Sequence, residues 1–151
     1  MAKVEARPFL MYEKGCRQAA EFYASVFPDG KVLTGPDLPG VSFEVGGQRF
    51  DAYDGGEYFR FSEAFSIQVR CETQEEVDYY WERLVEGGGE HSQCGWLKDR
   101  WGLSWQVVPN AYYRLITDPD PERVRRTMEA MLRMEKLDIA ALEAAADGRT
   151  A

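Results

Sequence analysis

Two short stretches of the sequence place a polar side chain at the same point of a similar pattern. They are GQRFDAYDGG, residues 47–56, and GLSWQVVPNA, residues 102–111. In each stretch a Gly is followed, after two residues, by an aromatic residue and then by Asp51 or Gln106. Asp51 could act as a general base or as a ligand of a hard metal ion, whereas the amide of Gln106 is neutral. The repeated pattern suggests that one strand of the fold is used twice.

A second combination with chemical potential is His91, three residues before Cys94. A Cys–His nucleophile needs both side chains within hydrogen-bond reach and a third group that orients the base. The local sequence favours a packed, inert thiol, with contact to a ligand as the alternative. The three cysteines, which include Cys16 and Cys71, form neither a CxxC pair nor an even-numbered framework, which predicts a cytoplasmic protein.

The elements that carry these residues repeat in order. Alternating apolar and polar residues predict strands over KVEARPFLMY, KVLTG, VSFEV and RFDAY, and apolar residues at helical spacing predict a helix over CRQAAEFYASVF. The second half begins again with the strand AFSIQVRCE and a helix that Thr73 and Glu76 start with a capping box. Short strands in HSQCG, WLKDRWG and LSWQVVP follow. Both halves therefore read as β-α-β-β-β.

A helical tail follows the second half. The stretch DPDPERVRRTMEAMLRMEKLDIAALEAAA predicts two helices, with Asp120 and Asp138 as their N-caps. The predicted buried stripe of the first of these helices is Val124, Met128, Met131 and Leu132. We expect one α+β domain over residues 1–151, with internal modules 1–58 and 62–109 and C-terminal helices over 110–151.

Strand alternation predicts two faces for the sheets. The residues expected to face the helices are Phe50, Ala52, Phe65, Ile67, Val69, Trp105 and Val107. The residues expected on the opposite, polar face are Ser42, Glu44, Arg49, Asp51, Tyr53, Ser66, Gln68, Arg70, Ser104 and Gln106. This face is interpreted as the wall of a ligand cavity, with a solvated face balanced by Arg–Asp pairs as the alternative.

Charge and hydropathy narrow the classes of partner. The formal net charge of -8 repels phosphate backbones, so we expect no nucleic-acid partner. No run of eighteen apolar residues exists, so we expect no membrane partner.

Three sequence blocks carry a resemblance to a known family. AAEFYASVFPDGKV, QCGWLKDRWGLSWQVVP and MEAMLRMEKLDIAALEAA resemble the PhnB-like group, labelled demethylubiquinone methyltransferase-like, of the vicinal oxygen chelate (glyoxalase/bleomycin resistance/dioxygenase) superfamily. The resemblance implies paired βαβββ modules that form an incomplete barrel around a cavity, and a homodimer. No Gly-rich turn between a strand and a helix is present to hold S-adenosylmethionine.

The resemblance also implies where a divalent metal would bind. Many relatives hold one with two His and two Glu, and the four ligand positions fall near Pro8, Asp51, Ser66 and Gln106. Of these, Asp51 alone is a good donor for a hard metal ion. We therefore expect no metal and no other cofactor, with a divalent metal held by a reduced set of donors as the alternative.

Three functions remain open at this point. The first is a cytoplasmic homodimer that binds a small organic molecule without a metal. The second is a lyase, isomerase or dioxygenase of the same superfamily, with Asp51 as the candidate catalytic residue, and the third is a structural or regulatory dimer. The predicted ligand-binding residues are Asp51, Tyr53, Ser66, Gln68, Cys94, Trp96 and Gln106.

Overall fold

The chain divides into two compact units. The computed structural model describes residues 1–149; the first unit comprises residues 1–62, and the second begins at Glu63 and contains the tail. The predicted tail extends to residue 151, and its last two residues lie outside the described range. Within residues 1–149, the helices are all too short or too polar to cross a membrane.

The first unit has the predicted order of elements. Its helix and four strands are β1 (Phe9–Tyr12), α1 (Cys16–Val26), β2 (Lys31–Val32), β3 (Gly40–Val45) and β4 (Gln48–Asp54). The sheet order is β1-β4-β3-β2, with β1 parallel to β4 and the other neighbours antiparallel. The apolar stripe of α1 is buried as predicted, because Ala19, Ala20 and Tyr23 recur at helical spacing. The Tyr23 ring contacts Phe43, which stacks on Phe50.

The first strand is shorter than predicted. The prediction began it at Lys3, but β1 begins at Phe9, directly after Pro8. Proline has no N–H group to donate to a strand ladder, which favours a strand start at this point. The carbonyl oxygen of Pro8 still accepts a hydrogen bond from the backbone N–H of Asp51, at 3.1 Å.

The second unit repeats this order and continues with helices. Its elements are β5 (Ser66–Cys71), α2 (Gln74–Arg83), β6 (Glu90–His91), β7 (Trp96–Lys98), β8 (Ser104–Pro109), α3 (Asn110–Ile116), α4 (Pro121–Met131) and α5 (Ile139–Ala146). The sheet order is β5-β8-β7-β6, with β5 parallel to β8 and the other neighbours antiparallel. The two sheets are therefore topologically equivalent, and the α+β fold with paired βαβββ modules is confirmed.

Local capping signals of the second unit are confirmed. The Thr73 hydroxyl accepts from the backbone N–H of Glu76 at 3.2 Å, while the Glu76 carboxylate accepts from the backbone N–H of Thr73. Asp120 and Asp138 cap α4 and α5 through their carboxylates. These reciprocal bonds satisfy backbone donors that the first turn of a helix leaves free, so they determine where each helix begins.

Three burial predictions are wrong. Phe65 was expected to face the helices, but it precedes β5 and is 44 % exposed. Met128 and Leu132 were expected in the buried stripe of α4, but they are 45 % and 63 % exposed, while Thr127 is buried. Residues three or four positions apart both lie on one face of a helix. In α4 the buried residue is Thr127, three positions after Val124, and not Met128, four positions after it.

The tail also contains one helix more than predicted. The stretch after β8 forms α3, which the sequence pattern did not indicate because it is only seven residues long. The core of the tail is Val108, Leu137 and Leu142, against which Tyr112 and Met131 pack.

Candidate functional site in the second unit

The polar face of the second sheet is built from three adjacent strands. Ser104 of β8 lies opposite Lys98 of β7 and Ser66 of β5, and Gln106 lies opposite Trp96. Residues that are directly opposite in neighbouring strands project to the same side of a sheet. The intervening residue Trp105 projects to the helical side and is fully buried, so the face assignment made from alternation holds for β8.

A cavity of about 360 Å³ opens on this unit. Its lining combines one aromatic and one aliphatic residue with charged and hydroxyl groups. The lining residues are Glu63, Glu90, His91, Ser92, Trp96, Leu97, Lys98 and Ser104. Its volume is in the range of small-molecule sites, and its polar groups converge on one space as they do in such sites.

Ser104 is the most unusual polar group of the lining. The residue is 1 % exposed, and its hydroxyl has no hydrogen-bond partner within residues 1–149. Buried hydroxyl groups are normally paired, because an unpaired one loses its bonds to water without compensation. The Ser104 hydroxyl is therefore an unpaired polar group in the wall of the cavity.

Lys98 and Glu63 form an ion pair at the same cavity. The Nζ atom of Lys98 lies 2.5 Å from Oε1 of Glu63. The hydrogen bond from Lys98 lowers the pKa of the Glu63 carboxyl, and the same bond raises the pKa of Lys98. Both side chains are exposed enough for solvent to screen the pair, so we assign it a role in the charge of the cavity rather than in stability.

The loop between β7 and β8 holds this face in position. Asp99 is 3 % exposed, and its Oδ1 atom accepts from the backbone N–H groups of Trp101 at 3.0 Å and Leu103 at 3.1 Å. Its Oδ2 atom accepts from the indole Nε1–H of Trp105 at 3.0 Å. Because Lys98 precedes Asp99 and Ser104 precedes Trp105, this carboxylate fixes the hairpin that carries both cavity residues.

The remaining part of the polar face is occupied by side-chain hydrogen bonds. The amide of Gln106 donates to the Ser66 hydroxyl at 2.9 Å. The amide of Gln68 donates to the Tyr113 hydroxyl at 2.5 Å, and the Arg70 guanidinium lies 3.7 Å from the centre of the Tyr113 ring. The structure thus brings Ser66 and Gln106 together beside Ser104, while Gln68 is exposed and bonds to Tyr113 of α3.

Cys94 and His91 do not form a catalytic pair. The Nε2 atom of His91 lies 2.8 Å from the carbonyl oxygen of Trp81, and its ring stacks on the Trp81 indole with centroids 4.2 Å apart. Cys94 adopts a left-handed backbone conformation, with φ 61°, and its N–H donates to the carbonyl oxygen of Met134 at 2.7 Å. The histidine ring is held against Trp81 of α2 by this hydrogen bond and this stacking, so it is not oriented toward Cys94 as a base.

The predicted site residues of the first unit lie on its own polar face. Oδ2 of Asp51 is 3.6 Å from Nη1 of Arg7, and the Ser42 hydroxyl donates to Oδ1 of Asp51. Tyr53, two residues further along β4, is 41 % exposed. In this unit the carboxylate is thus bound by a cation and a hydroxyl.

The comparisons with known proteins agree with this topology. The sequence model of the 3-demethylubiquinone-9 3-methyltransferase family matches residues 4–108, which is more than half of the chain. The chain belongs to this family. No curated protein matches the chain in sequence.

Solved structures agree with the family and with the fold. The PhnB protein from Bacillus cereus is 28% identical with a TM-score of 0.62, and the match covers 70% of this chain and 99% of that one. The fosfomycin resistance protein FosX from Listeria monocytogenes, in complex with Mn(II) and sulfate, is 17% identical with a TM-score of 0.54, over 72% and 91% of the two chains. A Bacillus cereus protein described as a possible glyoxalase is 17% identical with a TM-score of 0.54, over 68% and 95%. The predicted membership of the PhnB-like group is confirmed, and the FosX and possible glyoxalase structures share its fold.

The residues of this chain do not fit the divalent metal that the sequence resemblance implies. Asp51 pairs with Phe9 in the first sheet, and its counterpart Gln106 pairs with Gln68 in the second. Ser66 lies two residues before Gln68, so its counterpart in the first sheet is Arg7, two residues before Phe9. The prediction of Pro8 at this position is off by one residue, which changes the face of the strand. A guanidinium is no metal ligand, and the amide and hydroxyl of Gln106 and Ser66 bond to each other. Within residues 1–149, no three His, Cys, Asp or Glu residues form a group that could hold a metal ion.

Sequence reasoning missed several cavity residues. The turn Lys98-Asp99-Arg100 looks like a solvated loop, yet Lys98 lines the cavity and Asp99 is buried. The hairpin WLKDRWGLSW could have indicated the position of Lys98, because a short turn places Lys98 of β7 directly opposite Ser104 of β8. Of the seven predicted ligand-binding residues, Trp96 lines this cavity.

Proposed function

We propose that the protein binds a small organic molecule in the cavity of the second unit, without a divalent metal, and that it acts as a homodimer in the cytoplasm. The observation that carries the proposal is the buried Ser104 hydroxyl, which lines the cavity and has no partner within residues 1–149. A bound molecule would give this hydroxyl the hydrogen bond that the described residues do not supply. Trp96, on the same face as Ser104, offers an apolar surface for the remainder of the molecule.

The other predicted ligand-binding residues differ in how near they lie to this cavity and in how their side chains are bonded. The bonded Ser66–Gln106 pair borders Ser104 on the same sheet, so a larger ligand would reach it. Gln68 is held by Tyr113, and Cys94 has its backbone anchored to Met134. Asp51 and Tyr53 remain predictions for the first unit, and Asp51 remains the candidate general base for an enzymatic alternative.

The absence of a metal is proposed from the donor set. Arg7 next to Asp51 supplies a positive charge where a cation would need a ligand. Dialysed protein should contain no stoichiometric divalent metal, and added Mn²⁺ should leave the melting temperature unchanged. An equimolar metal that survives gel filtration would refute this part of the proposal.

The binding proposal is tested by a thermal-shift screen of small organic compounds. Compounds that raise the melting temperature of the wild type should lose most of that effect with Ser104→Ala. Ser25→Ala is the matched control, because Ser25 lies on α1 of the first unit, where its hydroxyl already donates to the Phe22 carbonyl. Hits whose effect is the same in both variants would place binding elsewhere and refute the proposed site.

The oligomeric state and the location have separate tests. Light scattering after gel filtration should give twice the 17.3 kDa mass of the chain, and a single-chain mass would refute the dimer. The cytoplasmic location rests on the three free thiols of Cys16, Cys71 and Cys94, which suit a reducing compartment. Cell fractionation would test it.

A further inference from the structure

The charges that line the cavity are unequal. Two carboxylates, Glu63 and Glu90, face one ammonium group, Lys98, and the formal charge with a neutral His91 is negative. Lys98 is already paired with Glu63 at 2.5 Å. The Glu90 carboxylate lies opposite Lys98 in the β6–β7 register and attracts it electrostatically, but it forms neither a close ion pair nor a hydrogen bond within residues 1–149. The cavity therefore contains one negative charge that is not balanced by a bonded cation.

The uncharged part of the lining suits a cation with an apolar body. A positively charged nitrogen can lie over the face of the Trp96 indole. This cation–π attraction is stronger where the site excludes water. The Ser104 hydroxyl can accept a hydrogen bond from an N–H group, and its lack of a partner within residues 1–149 leaves its lone pairs available.

We propose that the ligand of this cavity is an organic amine, a protonated nitrogen on an aromatic or aliphatic body. The ammonium group interacts with Glu90 and with the Ser104 hydroxyl, and the body packs on Trp96. This assignment rests on the proposed function, because it names the chemical class of the molecule bound at the same site.

An anionic ligand fits the same lining less well. To reach Lys98 it would have to displace Glu63 from a 2.5 Å ion pair and would then lie near two free carboxylates. The formal net charge of -8 on the chain also raises the local concentration of cations and lowers that of anions.

The test compares three probes that share one aromatic body. Tryptamine is the cation, 3-ethylindole the neutral analogue and indole-3-propionate the anion, and each is titrated into the full-length protein by calorimetry at low ionic strength. We expect tryptamine to bind most tightly and its affinity to fall as salt is added, because exposed charges are screened.

Two charge variants should move the affinity of tryptamine in opposite directions. Glu90→Gln should weaken tryptamine binding about fivefold. Two opposite unit charges about 4 Å apart attract by about 1 kcal/mol at the dielectric constant of water, which corresponds to that change in the dissociation constant. Lys98→Gln should strengthen tryptamine binding, because it removes the competing cation and leaves Glu63 free. Glu143→Gln, an exposed carboxylate of α5 outside the cavity lining, is the matched control and should change nothing.

The outcomes separate the ligand class from the site. If indole-3-propionate binds more tightly than tryptamine and Lys98→Gln abolishes that binding, the amine assignment is wrong while the proposed cavity function stands. Equal tryptamine affinity in the Glu90, Lys98 and control variants, or no tryptamine binding at all, also overturns the assignment. If no compound in the wider screen depends on Ser104, the proposed function itself fails.

Discussion

Replacing Ser104 with Ala should make the protein more stable when no ligand is present. The Ser104 side chain is 1 % exposed, and its hydroxyl has no partner within residues 1–149. Burial of an unpaired hydroxyl costs about 1–3 kcal/mol in mutational data. Removing the oxygen also leaves a small void, which offsets part of the gain, so the lower end applies. We expect the free energy of unfolding to rise by about 1 kcal/mol, or the melting temperature by roughly 2–4 °C.

Ser66→Ala provides a matched control with the opposite sign. Ser66 lies opposite Ser104 in the β5–β8 register, and its hydroxyl accepts from the Gln106 amide at 2.9 Å. Removing this bond should lower the free energy of unfolding by about 0.5–1.5 kcal/mol. Both variants delete the same atom from neighbouring positions on one face, so their difference isolates the effect of the hydrogen bond.

Urea unfolding followed by tryptophan fluorescence measures both variants. The midpoint should shift upward for Ser104→Ala and downward for Ser66→Ala, with unchanged slopes, since neither change alters the surface exposed on unfolding. A loss of stability in Ser104→Ala of about 0.5 kcal/mol or more would show that the hydroxyl has a partner, against the expected cost of an unpaired group. The structural basis of the proposed ligand site would then be lost.

Two further predictions concern the framework around the cavity. Asp99→Asn should lower the free energy of unfolding by about 2 kcal/mol in the same urea assay, because its amide would place a donor against the indole N–H of Trp105 or the backbone donors. A change below about 0.5 kcal/mol would contradict the role assigned to this carboxylate. Ellman's reagent at pH 8 should label only Cys94 in the folded protein, because burial raises the pKa of Cys16 to about 11 and that of Cys71 to about 12, far above the assay pH. Labelling that is equally fast at Cys94 and at either buried thiol would refute this assignment.

The fold could be predicted because its signals are local. The capping box of Thr73 and Glu76 marks the start of α2, and the stripe of α1 at Ala19, Ala20 and Tyr23 marks its buried face. A strand with period two and a helix with period 3.6 can both be recognised within a few residues. The order of these elements then identifies the repeated βαβββ unit.

The cavity could be predicted only in part, because its contacts join distant segments. Lys98 pairs with Glu63, which precedes β5 and shows no pattern that would indicate a partner. The missing partner of Ser104 is likewise a property of the whole environment and cannot be recognised from its neighbours in sequence. The burial errors at Met128 and Leu132 have a similar origin, because α4 packs against other helices of the tail rather than according to its own spacing alone.

The two equivalent sheets show how one architecture can carry different chemistry. Their strand orders are the same, and the matching registers make Arg7–Asp51 of the first sheet the counterpart of Ser66–Gln106 in the second. The first pair is ionic, since Nη1 of Arg7 lies 3.6 Å from Oδ2 of Asp51, and the second is a neutral hydrogen bond. Asp51 is the one carboxylate of the two pairs, and neither pair contains the three His, Cys or carboxylate ligands of a catalytic zinc site. Because the strand order and the registers match, the difference in polarity between the two faces comes from their side chains. Each face therefore has to be tested separately for ligand binding.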